Sequence, residues 1–414
     1  MPSSPSSNHL HVIFITTGEY PSASHLHASQ VIEPAKALRK LGHKVSWIAV
    51  IPLISYIRDK IQRQNRLRSV QRICADEDIC FHSILSPIYI SGTASFIFRK
   101  QLARLAAIGA RNSIEFGSGA TVLHSRSYYA AQFASELDSL LTPSIDRKLS
   151  FDMRSSFPEE LPLILKFAGK FLYGSAKQWE YELLRRSHVS FLPVNLSRNR
   201  LKDATGIDVR YVPIQGFDRE PNWSVDFDRR WSARQIGFAG SLSNWHDPVL
   251  LRQMLASIPG AKPKLATWPV DSLAGLDARI YPHAAMKSFY DELLGLVVPG
   301  RVDVEDSFVA FQMRCNLFST KAAEALSRGV PIIVSSQLAE LAQFVREHEC
   351  GAVYDPCAGA FSYPDGEWAE CRESWERMSK NAAAVGSRFT RSSVVQSYLG
   401  HWLRLFSTDQ RACD

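Results

Sequence analysis

Short apolar runs and helix-period patterns alternate along almost the whole chain, and this alternation organises it before any single residue does. Leu10 to Ile15 is an apolar run of strand length. From Ser29 to Leu41 the residues Val31, Ala35 and Leu38 share one helical face and Gly42 follows as a left-handed cap, while Pro34 leaves the start of that helix open. Lys44 to Val50 reads as the next strand. Ala120 to Leu123, Lys148 to Phe151, Val189 to Val194 and Val209 to Val212 follow, separated by helical stretches such as Lys166 to Arg186. Asp218 to Arg234 breaks the rhythm: polar and aromatic without periodicity, it is expected to be an interdomain linker. The alternation then resumes with strands at Gln235–Ala239, Lys264–Thr267, Gly295–Val298, Pro331–Val334 and Ala352–Tyr354. Helices are expected at Pro248–Ala256, Met286–Leu294, Lys321–Arg328 and Gln337–Glu347.

Strands alternating with helices imply parallel sheets covered on both faces, and a chain of 414 residues is long enough for two such domains. The expected division is 8–220 for a first α/β domain, 234–388 for a second, and 389–408 for a terminal helix, about Ser392 to Phe406. Hydrophobic residues at 45% and charged residues at 21% leave ample core and exclude wholesale disorder. Seven cysteines without a C-x-x-C pair argue for a reducing compartment, with neither a disulfide framework nor a zinc ribbon. The Ser- and Pro-rich start has no basic n-region, and no apolar run approaches about 18 residues. A cytoplasmic protein is expected, at most peripheral on the inner face of the cell membrane.

The segment Phe318-Ser-Thr-Lys-Ala-Ala-Glu-Ala-Leu-Ser-Arg-Gly-Val-Pro-Ile-Ile-Val334 carries the clearest chemistry. Ser319 or Thr320 can cap a helix whose first turn holds Lys321 and whose end is marked by Gly329 and Pro331. Free amides, the positive end of the helix dipole, hydroxyls and an ammonium together suit a phosphate. Glu324, three residues beyond Lys321, projects from the same face. The plain alternative is a solvated helical ion pair beside a cap.

This segment resembles the nucleotide-sugar motif of glycosyltransferase family 4, retaining enzymes of the GT-B fold. Ala37-Leu-Arg-Lys-Leu-Gly-His-Lys-Val-Ser-Trp-Ile48, Tyr211-Val-Pro-Ile-Gln-Gly-Phe-Asp218, Ile236-Gly-Phe-Ala-Gly-Ser-Leu242 and Gly351-Ala-Val-Tyr-Asp-Pro356 resemble further family segments in the same order. The resemblance implies two Rossmann-like domains facing a central cleft, with the last helix crossing back to the first domain. It implies transfer of a hexose-type sugar from a UDP- or GDP-sugar to a hydroxyl of a saccharide or lipid-linked saccharide, with retention and without a metal or other cofactor. Lys321 would meet donor phosphate and Glu324 the donor ribose. Gly18, Gly240, Ser241, Ser319 and Thr320 would line the donor site. The chain departs from the family in having Asn316 where many members carry a first Glu, and in lacking a basic pair after Gly240; His246 is the residue that could stand in there.

In the first domain, Thr121-Val-Leu-His-Ser-Arg-Ser127 puts His124 and Arg126 at the carboxyl end of a strand, where open α/β sheets bind ligands. The family has a comparable His near the transferred sugar. Phe151-Asp-Met-Arg-Ser-Ser-Phe-Pro-Glu-Glu160 resembles a segment of a family subset, so Asp152 and Arg154, with Arg126, are expected on the acceptor side, the alternative for Asp152 and Arg154 being to pair with each other, while Glu159 and Glu160 open the next helix. No G-x-G-x-x-G follows the first strand, which excludes an NAD fingerprint. Asp303-Val-Glu305 supplies too few oxygens for a hard cation and reads as a solvated loop.

The net charge of +7 is uneven. Residues 54–72 hold six bases and one acid among Ile54, Ile57, Ile61, Leu67 and Val70, the composition either of a basic amphipathic helix on an anionic membrane or of a solvated face. Glu340 to Glu376 holds nine acids and two bases, unsuited to nucleic acid. The resemblance places the protein in bacterial surface polysaccharide or glycolipid synthesis. Its rivals are a non-catalytic GT-B scaffold that binds a sugar nucleotide, and a GT-B sugar-nucleotide epimerase.

Overall fold

The computed structural model describes residues 9–18, 20–22, 27–57, 60–88, 93–112, 114, 119–143, 145–242, 246–301, 307–315, 318–364 and 368–407. Within them the apolar runs pair into two seven-stranded sheets. One unit of the chain comprises Met1–Pro193, Arg198–Val212 and Val395–Asp414, the other Val194–Ser197 and Pro213–Val394.

The first sheet contains β1 (His11–Thr17), β2 (Lys44–Pro52), β3 (Cys80–Ser86), β4 (Thr121–Arg126), β5 (Arg147–Asp152), β6 (Val189–Leu192) and β7 (Arg210–Tyr211). Their order is β3-β2-β1-β4-β5-β6-β7, and every neighbouring pair is parallel. The helices before β7 are α1 (Glu33–Lys40), α2 (Leu53–Ile57), α3 (Lys60–Asp76), α4 (Thr93–Ile97), α5 (Arg99–Arg111), α6 (Tyr128–Leu140), α7 (Phe157–Leu165), α8 (Phe167–Arg186) and α9 (Asn195–Thr205). All of β1 is buried because helices cover both faces of a parallel sheet. Sequence reading missed β3, an edge strand in which Cys80, Ser83 and Leu85 are exposed and only Ser86 is fully buried, so it carries little apolar signal. The helix expected from Ser29 opens instead as a π-turn, Ala28–Ile32, ahead of α1. Pro34 explains it: the ring removes one donor and crowds the carbonyl four residues back, so the turn widens.

The second sheet contains β8 (Gln235–Ala239), β9 (Lys262–Ala266), β10 (Ala278–Arg279), β11 (Gly295–Val298), β12 (Ile332–Ser335), β13 (Gly351–Asp355) and β14 (Ala360–Tyr363). It is ordered β10-β9-β8-β11-β12-β13-β14, parallel except for β14 against β13. Its helices are α10 (Phe227–Ala233), α11 (Pro248–Ala256), α12 (Met286–Asp291), α13 (Ser307–Cys315), α14 (Thr320–Ser327), α15 (Ala339–Glu347) and α16 (Arg372–Gly386). A last helix, α17 (Arg391–Ser407), passes at Val395 into the first unit, where Trp402 donates to Ser150 Oγ at 3.0 Å.

The stretch Asp218–Arg234, expected as a linker, is built into the second unit instead. Asp226 caps α10 by accepting from the Arg229 amide, and Arg230 is buried with its guanidinium donating to the carbonyls of Asp291, Arg328 and Gly329. Arg219 donates to the carbonyls of Ser327 and Ala383. These bonds pair polar side chains with backbone carbonyls, a pattern that apolar periodicity does not register.

Residues 54–72 divide. Val70 and Cys74 of α3 are buried, so this apolar face packs inward, while Leu53, Ile54, Ile57 and Ile61 stay exposed. No helix among the described residues is long and apolar enough to cross a membrane. The solvated loop read at Asp303 to Glu305 lies outside the described residues.

Two glycines test the packing. A Cβ on Gly386, at the end of α16, would stand 1.8 Å from the Leu326 carbonyl oxygen, whereas one on Gly400 in α17 would meet nothing within 4 Å. Gly386→Ala is therefore expected to destabilise by about 1–3 kcal/mol through overpacking. Gly400→Ala should stabilise by about 0.4–1 kcal/mol. Urea unfolding measures both; a loss at Gly400 as large as that at Gly386 would contradict this packing.

Candidate functional site

An open parallel sheet binds ligands outside the carboxyl ends of its strands, at the point where strand order reverses. In the second sheet that point lies between β8 and β11. Gly240 follows β8 directly, with φ of +110°, and Pro299 follows β11. The half-buried Lys321, in the first turn of α14, reaches the same point: a Cβ on Gly240 would come within 3.0 Å of its Nζ. Glycine is required there both for the backbone angle and for the approach of the ammonium.

His246 holds that ammonium. Its Nδ1 lies 2.6 Å from the Pro299 carbonyl, which can only accept, so Nδ1 carries the proton and Nε2 is left as the acceptor for Lys321 Nζ at 2.7 Å. Burial and the neighbouring Lys321 push the His246 pKa down to about 3, so the ring is neutral. His246 thus orients the lysine and does not supply the missing second positive charge. The face of Phe238, with its centroid 4.8 Å from Nζ, completes the seat. Burial pushes the Lys321 pKa down to about 7, against a partial pull upward from Glu324.

Ser319 caps α14, its side chain accepting from the Ala322 amide. The amides of Thr320 and Lys321 therefore lie ahead of the first helical bond, at the positive end of the helix. Glu324 is buried one turn on, where the Tyr290 hydroxyl donates to its Oε2 at 2.9 Å. The far end of α14 is fixed by Arg328, which makes two 2.8 Å bonds to Asp291. Ser241 is exposed just beyond Gly240. Lys321, Glu324, Gly240, His246, Ser319 and Thr320 thus belong to one constellation, while Asn316 lies outside the described residues. Tyr290, Phe238 and the Pro299 carbonyl were not singled out from sequence; no local motif marks them.

The first-unit residues behave differently. Gly18, φ +83°, ends β1, and Arg126 ends β4, so both border the corresponding reversal of the first sheet. His124, expected to face a ligand, is only 2% exposed. Its Nδ1 lies 2.9 Å from Ser150 Oγ, and the rings of Phe14, Tyr398 and Trp402 stand edge-on around it at 5.0–5.3 Å. Burial pushes its pKa down to about 4. It is a neutral packing residue, with the C-terminal helix covering the strand end. Asp152 and Arg154, expected on the acceptor side, pair with each other at 3.4 Å, and Arg154 holds the left-handed φ of +62°. Glu159, instead of merely opening α7, is buried in ion pairs with Arg200 and Lys177.

No family model and no curated protein matches the chain. Solved structures do. Sucrose-phosphate synthase from Thermosynechococcus elongatus superposes with a TM-score of 0.64 at 11% identity, covering 96% of this chain and 99% of its own. α,α-Trehalose 6-phosphate synthase from Burkholderia multivorans gives 0.59 at 12%, over 99% and 98%. Anabaena HepE, solved with UDP and glucose, also gives 0.59 at 12%, over 94% and 98%. The fold is GT-B. At such identities the likeness carries the fold alone, so the chemistry of this GT-B chain rests on its own residues.

Lys321 gives a pH signature. Its pKa in the folded protein, about 7, lies below the ordinary 10.5, so its charge penalises the folded state below about pH 7 and the penalty fades as pH rises toward 10.5. Lys321→Met is expected to raise Tm by roughly 2–4 °C at pH 6.5, with a much smaller gain at pH 10. Calorimetry at the two values checks this; a gain that grows with pH would contradict a desolvated ammonium.

Proposed function

We propose that this chain is a retaining, hexosyl-type glycosyltransferase of family 4 that uses a UDP- or GDP-sugar. The observation that carries the reading is the Lys321 ammonium, seated by neutral His246 over Gly240 at the strand-order reversal. A diphosphate placed there would meet that ammonium and the first-turn amides of α14, regaining in charge pairing what Lys321 loses by leaving water. Glu324, held by Tyr290, would receive the ribose hydroxyls.

In the proposed reaction the bond from the sugar's anomeric carbon to the donor diphosphate breaks, and the acceptor oxygen bonds to that carbon on the same face. The acceptor proton passes to the departing phosphate, so no protein base is needed. Negative charge builds on the leaving diphosphate, and Lys321 with the α14 amides stabilises it where it forms. The reading requires no metal, since these groups carry the charge. A saccharide or lipid-linked saccharide acceptor, a role in bacterial surface polysaccharide or glycolipid synthesis and a peripheral place on the inner membrane face belong to it through the family resemblance.

Lys321→Ala and Glu324→Ala are each expected to abolish sugar transfer with the fold retained by circular dichroism; unchanged turnover in both would sink the reading. Binding of UDP or GDP, followed by calorimetry, is expected to weaken about tenfold per pH unit above 7. Below that the ammonium is already formed and affinity is flat. Proton uptake on binding, read from two buffers of different ionisation enthalpy, checks the sign. A protein that binds the nucleotide without any transfer or epimerisation would be a scaffold instead.

A further inference from the structure

The two most exposed large apolar side chains among the described residues of the first unit are unexplained by sugar transfer. Phe167 and Phe171 are 86% and 85% exposed, one turn apart at the start of α8, with Ile164 exposed beside them at the end of α7. The turn that presents them is tightly built. Lys166 joins α7 to α8 at φ +50°, a strained angle for a residue with a side chain. A Cβ on Gly169 would lie 2.2 Å from the Leu161 carbonyl oxygen, so the two helices touch backbone to backbone. Buried Glu159 of α7 further ties to Tyr173 and Lys177 of α8.

This hairpin overhangs its sheet. Twenty residues of α8 span about 30 Å, whereas six-residue β5 spans about 20 Å. β6 begins at Val189, just after α8 ends at Arg186, so the last turn of α8 sits at the amino edge and its excess length carries the first turns past the carboxyl edge of the strands. Other exposed apolar residues rise from that edge: Leu53, Ile54 and Ile57 on α2 directly after β2, Ile61 on α3, and Ile97 and Phe98 between β3 and α5. At the tip itself the charge is of one sign: residues 161–176 contain Lys166 and Lys170 and no acid.

We propose that the α7–α8 hairpin tip is an anchor that inserts into an anionic phospholipid bilayer. A convex aromatic tip suits a fluid interface, where phenylalanines enter the acyl boundary while lysine stems run along them and keep their ammonium groups among phosphates. Lys166 and Lys170 add attraction to anionic headgroups. A protein partner would have to offer a pocket matched to both rings and acids around it. The anchor sharpens the membrane part of the proposed function by naming the surface, and it would present the carboxyl edge of the first sheet to lipid-borne substrates.

The test is sedimentation of the full chain with vesicles of phosphatidylglycerol and phosphatidylcholine at 1:1, and with phosphatidylcholine alone. Binding is expected to the first only and to weaken with salt. The double variant Phe167→Ser with Phe171→Ser should lose at least tenfold in vesicle affinity while keeping its melting temperature and its UDP or GDP binding. As an independent readout, Phe167→Trp should shift its fluorescence to the blue on these vesicles and be quenched by brominated lipid. Equal binding by the double variant, no shift in the tryptophan variant, or Phe167-dependent dimerisation in place of vesicle binding would overturn the anchor. Nucleotide binding is read separately, so its loss with vesicle binding intact would count against the sugar-transfer reading alone.

Discussion

A lysine ammonium taken out of water at the positive end of a helix is doubly disfavoured, and the second unit is arranged around keeping one there. Lys321 stands in the first turn of α14, yet the neutral ring of His246, the face of Phe238 and the carboxylate of Glu324 hold it in place. Each of those groups must itself be fixed. The Pro299 carbonyl sets the His246 tautomer, Tyr290 holds Glu324, and Arg328 and Arg230 tie down the far end of the helix through Asp291 and the carbonyls beyond it. Such an arrangement is stable enough to persist and polar enough to favour an anion, the combination that perturbed groups at binding sites commonly show.

The two sheets share a strand order but use their reversal points differently. In the second, Gly240 and the capped first turn of α14 bring an ammonium and backbone amides to the strand ends. In the first, His124, the residue best placed by position alone, is closed over by Tyr398 and Trp402 of the last helix, and Asp152 and Arg154 pair with each other. The same topology therefore yields an electrostatic seat in one unit and an aromatic core in the other. Apolar surface that the first unit leaves open lies on the α7–α8 hairpin and on the short helices that follow β2 and β3.

Much of this was legible in the chain because it is local. The cap, lysine, glutamate and terminating Gly329 of α14 lie within one short segment, where hydrogen-bond and dipole rules act between near neighbours. Most strands showed as apolar runs because both faces of their sheets are covered. Where a strand lies at an edge, as β3 does, or a segment is held by side-chain bonds to carbonyls, as Asp218–Arg234 is, apolar patterning had nothing to report.

The sequence by itself determined the α/β alternation, the capped Lys321 helix and the uneven charge, all of which depend on residues a few positions apart. Only the tertiary structure decided that His246 is an orienting acceptor, since its proton is placed by a carbonyl 53 residues away. It likewise decided that His124 is packing, because Trp402 reaches the Ser150 hydroxyl across 252 residues. Helical periodicity separates two faces without saying which one meets the core, so the exposure of Phe167 and Phe171 waited on how α8 packs against α7.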